Sequence, residues 1–276
     1  NTFVIKFFAE EEKVKNRIIR AKILEGLVPK IEASRKHFYR YTFIKGEPYP
    51  HVITSGDFRQ FLEWATQNIW QEAPKVDDDT FQKACYGFYF NETKERIDKF
   101  LENRVIHDQT NTINGEHVPP IADILKDIDS HWLTRTKQYQ FHGDLVLDNI
   151  IRTQDGYCLL DWRQDFGGLL STGDMYYDLG KLNHNLVVNH DVIDANLFSV
   201  EDSNGVVTCD IMRSHKLVAC QEILQQFVQE SGYDLTKVKV LTAIIWLNMS
   251  PLHHSPFDLF LFYFGKLNLW KALNEK

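Results

Sequence analysis

The sequence predicts an α+β protein with two lobes, a small β-rich N-terminal lobe and a mainly helical C-terminal lobe. Three strand-like segments, residues 2–8, a segment that opens at residues 28–31, and residues 38–44, lie near the start of the chain. Most of the later segments carry apolar residues at the three- and four-residue spacing of amphipathic helices. A β-hairpin over residues 150–160 interrupts these helices. We therefore expect one lobe over residues 1–44 and a second over residues 45–276.

The composition is that of an ordinary globular protein. The chain has 276 residues, of which 43% are hydrophobic and 25% charged, and a chain of this size buries about 75% of its unfolded surface. The net charge of −7 argues against a nucleic-acid partner bound through a basic face. It mildly favours cationic or neutral substrates.

The cysteines and the hydropathy pattern bear on location. The four cysteines lie far apart without a Cys-x-x-Cys pair, which favours free thiols in a reducing compartment and a cytoplasmic protein. The sequence has no apolar run of about 18 residues, so we expect no membrane insertion. The first residues already resemble a strand, so we expect no signal peptide.

The first strand carries Lys6 in its middle, and two interpretations are open from this segment alone. The lysine could protect an edge strand against aggregation, or it could pair with the phosphates of a nucleotide. Residues 10–27 follow as an amphipathic helix. Its apolar stripe consists of Val14, Ile18, Ala21, Leu24 and Leu27.

Residues 28–31 open the next strand. The strand after it, residues 38–44, runs into a Gly-Pro turn, and helices follow. Residues 55–69 and the segments after the caps at residues 77–79 and Asn91 are predicted helices. Residues 109–120 are polar and are predicted to form a surface loop. Pro120 then begins a helix that leads to Phe141.

The central segment, Phe141–Trp162, holds three polar side chains on a predicted β-hairpin. Asp144 precedes the hairpin, Asn149 lies at its entry and Asp161 at its exit. An Asp-Gly pair at residues 155–156 predicts the turn. A base, together with an amide oxygen and a carboxylate that can share a divalent cation, is suited to phosphoryl transfer.

The later chain contains further helices and one inserted hairpin. Residues 175–189, 212–231, 235–249 and 257–273 are predicted helices. Two alternating segments around an Asn-Gly turn predict a hairpin over residues 196–211. We found no motif for an acceptor substrate there, and we expect specificity to lie in residues 190–276.

The order and spacing of the central motifs resemble the aminoglycoside phosphotransferase and choline kinase superfamily, the small-molecule branch of the protein-kinase-like fold. The motifs are His142-Gly143-Asp144, Asn149, Asp161-Trp162 and Tyr177-Asp178-Leu179. The resemblance extends from Phe3 to about Leu182. It implies a two-lobed protein-kinase-like fold.

The resemblance also implies roles for these residues. Asp144 would be the catalytic residue that accepts or orients the proton of the substrate hydroxyl. Asn149 and Asp161 would bind Mg²⁺, and His142 and Asp178 would support the catalytic loop. The nucleotide contacts that the resemblance implies are made by Lys6 with the phosphates and by the backbone of Thr42, Phe43 and Ile44 with the base.

The chain departs from the family pattern in two places. Relatives carry a glutamate on the first helix that pairs with the strand lysine, and Arg20 stands at that position here. Glu10, Glu11, Glu12 or Glu25 could replace it, but each is more simply interpreted as a solvated surface charge. The glycine-rich strand pair expected before Lys6 is absent from the sequence given.

These observations lead to a functional hypothesis and an alternative. The protein is expected to be a Mg²⁺-dependent kinase that transfers the γ-phosphate of ATP or GTP to a hydroxyl of a sugar, a choline-like amino-alcohol or an aminoglycoside. The alternative is a catalytically impaired, kinase-like protein that binds nucleotide or regulates a partner. A protein kinase is disfavoured, because the sequence has no Ala-Pro-Glu segment or activation loop after Asp161.

Overall fold

The computed structural model describes residues 2–275, which fall into two compact units. The first consists of residues 2–84 and 137–182, and the second of residues 85–136 and 183–275. The division at residue 44 that the sequence suggests stays a prediction.

The secondary structure mixes short strands with longer helices. The strands are β1 (Phe3–Phe7), β2 (Ile31–Arg35), β3 (Phe38–Thr42), β4 (Glu47–Pro48), β5 (Asn111–Ile113), β6 (Glu116–Val118), β7 (Ile150–Thr153), β8 (Gly156–Leu159), β9 (Phe198–Ser203) and β10 (Val206–Ile211). The helices are α1 (Glu11–Ile23), α2 (Tyr49–Val52), α3 (Ser55–Asn68), α4 (Asp78–Tyr86), α5 (Glu92–Arg104), α6 (Ile121–Asp127), α7 (Ser130–Thr134), α8 (Met175–Val187), α9 (His190–Asp194), α10 (His215–Glu230), α11 (Leu235–Met249) and α12 (Phe257–Asn274). A π-helical turn at Gly87–Asn91 connects α4 to α5.

The first unit opens with an antiparallel sheet in the order β1-β3-β2. Lys6 pairs with Tyr39 of the central strand. Side chains alternate along β1, so that Val4 and Lys6 are half-buried while Phe3, Ile5 and Phe7 are exposed. Because period-two alternation sends neighbouring side chains to opposite faces, Lys6 lies on the face that is turned away from solvent.

The predicted central hairpin is confirmed, with its turn one residue earlier than the Asp-Gly pair suggested. Strand β7 pairs with β8 from Ile150↔Leu159 to Thr153↔Gly156, so residues 154–155 form the turn. Strand β4 adds to the other edge of β7. Gly46 makes this approach possible, because a Cβ there would lie 2.5 Å from the carbonyl oxygen of Arg152.

The second unit contains a sheet in the order β6-β5-β10-β9. The predicted hairpin of β9 and β10 is present, and both residues of its Asn204-Gly205 turn have positive φ. The predicted surface loop over residues 109–120 is wrong, since β5 and β6 form a second hairpin there. Its turn is Asn114-Gly115, again with positive φ at both residues, and the buried side chain of Ile113 contributes to the core.

Two largely apolar helices, α11 and α12, form the centre of the second unit. Both bury residues around most of their circumference, as expected of helices that are hydrophobic on all sides. Gly265 allows them to pack closely, because a Cβ there would meet the Leu247 side chain at 3.0 Å. Of the helices in residues 2–275, none is both long and apolar enough to cross a bilayer.

Candidate active site

The loop that begins at Phe141 is held by Asp178, which lies on α8 and is fully buried. One carboxylate oxygen accepts hydrogen bonds from the backbone N–H of His142 at 2.8 Å and the indole N–H of Trp70 at 3.2 Å. The other accepts from the backbone N–H of Gly143 at 2.7 Å. Burial raises the pKa of Asp178 to about 6, against the opposing effect of these donors.

His142 is buried, and both of its ring nitrogens contact the backbone. Its Nδ1 accepts from the N–H of Asp144 at 3.2 Å, so Nε2 carries the proton and donates to the carbonyl of Leu160 at 2.9 Å. Burial lowers the pKa of His142 to about 4. The ring is therefore neutral at physiological pH, and it links the start of the loop to the exit of the hairpin.

Arg20 stands at the position where the family pattern implies a glutamate. It is buried and stabilises the same loop through backbone hydrogen bonds. Its guanidinium donates to the carbonyl oxygens of Arg163 at 2.8 Å, Leu170 at 2.9 Å and Phe141. It also lies over the Phe141 ring, 3.7 Å from the centroid. Burial lowers the pKa of Arg20 to about 9, which leaves it charged at neutral pH.

Asp144 forms an ion pair with Lys181, with 2.8 Å between Oδ1 and Nζ. Burial opposes ionisation of Asp144, but the ammonium group outweighs this effect, and the pKa of Asp144 lies below its ordinary value. The side chain keeps 42% of its surface exposed. Asn149 donates from Nδ2 to the backbone carbonyl of Asp144 at 2.9 Å, and its Nδ2 lies 3.4 Å from Oδ2 of Asp144.

Asp161 follows the hairpin with a φ of +55°, a conformation that aspartate tolerates better than most residues. Its Oδ2 lies 2.8 Å from Nζ of Lys6, and its Oδ1 lies 3.8 Å from a guanidinium nitrogen of Arg17. The N–H of Leu160 donates to the carbonyl of Asn149 at 2.7 Å. The structure therefore brings Lys6 to Asp161, and Asn149 to Asp144. The backbone hydrogen bond from Leu160 to Asn149 links the segments that carry these two pairs.

The chemistry of the donors fits a magnesium site. The Nδ2 of Asn149 donates to Asp144, and its Oδ1 makes no hydrogen bond among residues 2–275. An amide oxygen and one carboxylate suit Mg²⁺, which keeps several waters and takes further oxygens from phosphates. The described residues contain no group of three or more His, Cys, Asp and Glu side chains that could hold a metal without such help.

The predicted nucleotide-base contacts, Thr42 to Ile44, follow directly from β3. The N–H of Phe43 already donates to the carbonyl of Thr2 at 2.9 Å, and the Thr42 hydroxyl donates to Glu32 at 2.5 Å. The backbone N–H and C=O of Ile44 make no hydrogen bond within residues 2–275. Ile44 therefore has both of its backbone polar groups open to a ligand.

Four residues at this site were not assigned such contacts from the sequence: Arg17, Arg20, Trp70 and Lys181. A pattern for three of them was present. Arg17 and Arg20 follow Val14 at three-residue steps, which places all three on one helix face. Lys181 comes three residues after Asp178 and is likewise on its face of α8.

Solved structures similar to this chain include small-molecule kinases. A candidate fructosamine-3-kinase from Thermobifida fusca YX-ER1 matches with a TM-score of 0.59 and 9% identity, over 98% of this chain and 85% of that one. A glucosamine kinase matches with a TM-score of 0.51 and 11% identity, over 99% and 74%. An ethanolamine kinase from Plasmodium vivax has a TM-score of 0.49 and 16% identity, over 98% and 75%.

The first two likenesses establish the protein-kinase-like fold, and the sequence comparison establishes the family. No curated protein sequence matches the chain significantly. The profile of the phosphotransferase enzyme family, abbreviated APH, matches residues 28–192, more than half of the chain and the part that contains Asp144, Asn149 and Asp161. The chain therefore belongs to the phosphotransferase enzyme family.

Proposed function

We propose that this protein transfers the γ-phosphate of ATP or GTP to a hydroxyl group of a small molecule, with Mg²⁺. Family membership makes it a phosphotransferase with an alcohol group as acceptor; the nucleotide, the metal and the acceptor are the proposed part. The observation that carries the proposal is the arrangement of the Lys6–Asp161 and Asp144–Asn149 pairs within one compact unit. A base, oxygen ligands for a cation and a lysine for phosphate are the parts that phosphoryl transfer requires.

Asp144 is the proposed catalytic residue. Its lowered pKa keeps the carboxylate ionised at neutral pH, so that it can accept or orient the proton of an acceptor hydroxyl. The ion pair with Lys181 fixes one oxygen, while the exposed part of the side chain remains accessible to a substrate.

Asn149 and Asp161 would hold Mg²⁺, which when bound supplies positive charge against the phosphate oxygens. Lys6 would contribute its ammonium group to the same phosphates. The free polar groups of Ile44 would hydrogen-bond the nucleotide base. In this proposal residues 1–44 form the nucleotide-binding lobe, and residues 45–276 carry the catalytic hairpin and the acceptor site.

His142 and Asp178 would act as supports rather than as reacting groups. Both are fully buried, and their polar atoms are occupied by the loop and its neighbours. A support of this kind keeps the carboxylate of Asp144 in one position, and such positioning accounts for much of the rate that enzymes achieve.

The proposed acceptors are sugars, amino-alcohols and aminoglycosides. The solved structures of similar fold include a candidate fructosamine-3-kinase and a glucosamine kinase, which gives a reason to begin with sugars and amino sugars. The net charge of −7 agrees with a neutral or cationic acceptor.

A nucleotide-consumption screen tests the proposal. ATP and GTP, each with Mg²⁺, would be offered with a panel of sugars, amino sugars, amino-alcohols and aminoglycosides. We expect turnover that depends on one acceptor class and that falls by about 10²–10⁴-fold in Asp144→Asn. Asp155→Asn makes the same chemical change in the exposed hairpin turn and should behave as wild type. Full activity in Asp144→Asn would refute the assigned role.

The alternative, a protein that binds nucleotide without turnover, is favoured by one observation. Lys6 pairs with the proposed metal ligand Asp161 rather than with a glutamate, so this ion pair has to open before both groups can serve a nucleotide. A thermal-shift scan, combined with the turnover screen, separates the two functions. Stabilisation by nucleotide and Mg²⁺ with no turnover across the panel would support the alternative.

A further inference from the structure

Helix α1 turns an arginine, not an acid, towards the proposed metal ligand. Glu11 and Glu12 pair with Lys15 on the outer face of the helix, at 3.4 and 3.8 Å. Within residues 2–275, Lys6 makes its ion pair with Asp161. Helix α1 therefore adds positive charge at a place where the family pattern predicted a negative one.

Arg17 is the residue that supplies this charge, and part of its hydrogen-bonding capacity is unused. It is 9% exposed, and its guanidinium packs on the Phe8 ring, 4.7 Å from the centroid. Its Nε and one terminal nitrogen are buried without a hydrogen bond in the described part of the chain. At 3.8 Å, the carboxylate of Asp161 is too far away for a hydrogen bond.

An unsatisfied buried guanidinium has an energetic consequence. Buried polar groups are nearly always hydrogen-bonded, and a charged group left without partners costs more than a neutral one. The ring of Phe8 and the backbone hydrogen bond from Trp162 to the carbonyl of Arg17, at 2.9 Å, fix the residue in place. A ligand with several anionic oxygens would satisfy the free N–H groups.

We propose that Arg17 binds phosphate oxygens of the nucleotide, and that with Lys6 it forms a pair of cations on either side of Asp161. This inference rests on the proposed function and adds a specific phosphate-binding residue to it. The Lys6 ammonium contacts one oxygen of Asp161 and the Arg17 guanidinium faces the other. A guanidinium presents its donors in a planar fork that matches phosphate geometry, whereas an ammonium acts as a point charge.

Calorimetric titration of the full chain tests the proposal. Adenosine, ADP and AMP-PNP, or the matching guanosine series if that is what wild type binds, would be titrated in the presence of Mg²⁺. The variants are Arg17→Gln and Arg17→Lys, with Lys15→Gln as the control, because Lys15 is exposed on the same helix. Thermal unfolding of each variant would show that it is folded.

We expect Arg17→Gln to weaken AMP-PNP binding by about 10–100-fold while adenosine binding stays unchanged, since only the phosphates lose a charged partner. Arg17→Lys should fall between Arg17→Gln and wild type. Equal AMP-PNP affinity in Arg17→Gln and wild type would overturn the inference alone. An equal loss of affinity for adenosine and AMP-PNP in Arg17→Gln would also overturn the inference, because it would mean that Arg17 has a structural role. A folded wild type that binds no nucleotide would overturn the proposed function as well.

Discussion

Nζ of Lys181 lies 2.8 Å from Oδ1 of Asp144, and the two side chains form an ion pair close to the hairpin of β7 and β8. Burial works against charge on both groups, yet each stabilises the ionised form of the other. The pKa of Asp144 is lowered and that of Lys181 is raised. The carboxylate proposed to receive the substrate proton is thus kept ionised by a lysine on α8.

The first prediction concerns the pH dependence of turnover. In Lys181→Met the ammonium, which is the strongest effect that opposes burial at Asp144, is gone, so the pKa of the carboxylate should rise. The acidic limb of the kcat/KM profile, which reports on the free enzyme, should move to higher pH. Profiles of wild type and Lys181→Met with the acceptor found in the screen would measure this.

Lys181→Arg is the matched control, because it keeps the positive charge. Its acidic limb should stay close to that of wild type. A Lys181→Met profile that coincides with the wild-type profile would mean that Lys181 does not set the ionisation of Asp144.

The second prediction concerns stability in mild acid. The pKa of His142 is about 4 in the folded protein and about 6.5 when unfolded, so the unfolded chain binds the proton more tightly. The stabilising effect of the neutral ring is complete above pH 6.5 and is lost as the pH falls towards 4. The difference between these two pKa values corresponds to about 3 kcal/mol in the free energy of unfolding, which is lost between pH 6.5 and pH 4.

Urea unfolding of wild type and His142→Asn at several pH values would detect this effect. The difference in free energy of unfolding between the two should shrink as the pH falls from 6.5 to 4. The raised pKa of Asp178 has the opposite pH dependence but is common to both proteins. His51→Asn, at an exposed position, should leave the wild-type profile unchanged, and a pH-independent difference for His142→Asn would contradict the prediction.

The sequence predicted what depends on local patterns. Asn149 and Asp161 were predicted at the two ends of a hairpin, and that hairpin exists. The contacts of Arg20 and Lys181 could not be predicted in this way, because their partners lie more than thirty residues away in the chain. Their burial depends on which carbonyl or carboxylate the tertiary fold brings to them. The spacing of residues along a helix predicts only which face of the helix each side chain lies on.

The error at residues 109–120 has a different cause. The segment is polar and was therefore predicted as a loop, although its Asn114-Gly115 pair is the same turn signal that correctly predicted the hairpin of β9 and β10. Strand β5 is stabilised from its other side by parallel pairing with β10. A three-residue strand of this kind gains its stability from a partner far along the chain, which local pattern does not reveal.

The third prediction tests Asp178 as the support of the loop. All three of its partners are N–H donors, and both carboxylate oxygens accept from them. In Asp178→Asn, either orientation of the amide would place its NH₂ group opposite at least one of these donors. We expect a loss of about 1–3 kcal/mol in the free energy of unfolding and a fall in kcat from displacement of Asp144.

Chemical unfolding and steady-state kinetics of Asp178→Asn would be compared with those of Asp155→Asn in the exposed turn. The control should match wild type in both measurements. Wild-type stability in Asp178→Asn would show that the carboxylate is not needed as an acceptor for the loop.

The last prediction separates backbone strain from crowding at the catalytic loop. Gly143 has a φ of +86°, and a Cβ there would lie 2.6 Å from Cβ of Arg163. Gly168 has a nearly identical φ of +88° but would meet nothing within 4 Å. Alanine at either position destabilises the fold by about 1–2 kcal/mol, because the backbone there is left-handed. Only Gly143→Ala must also displace neighbouring atoms.

We therefore expect Gly143→Ala to lower the free energy of unfolding by about 1–3 kcal/mol more than Gly168→Ala does. Because the peptide N–H of Gly143 donates to Asp178 and the next residue is Asp144, the displaced backbone should also reduce kcat. Gly168→Ala should leave kcat near the wild-type value. Equal destabilisation by the two substitutions, with kcat unchanged in both, would mean that the loop can move without cost and that close packing does not hold Asp144 in place.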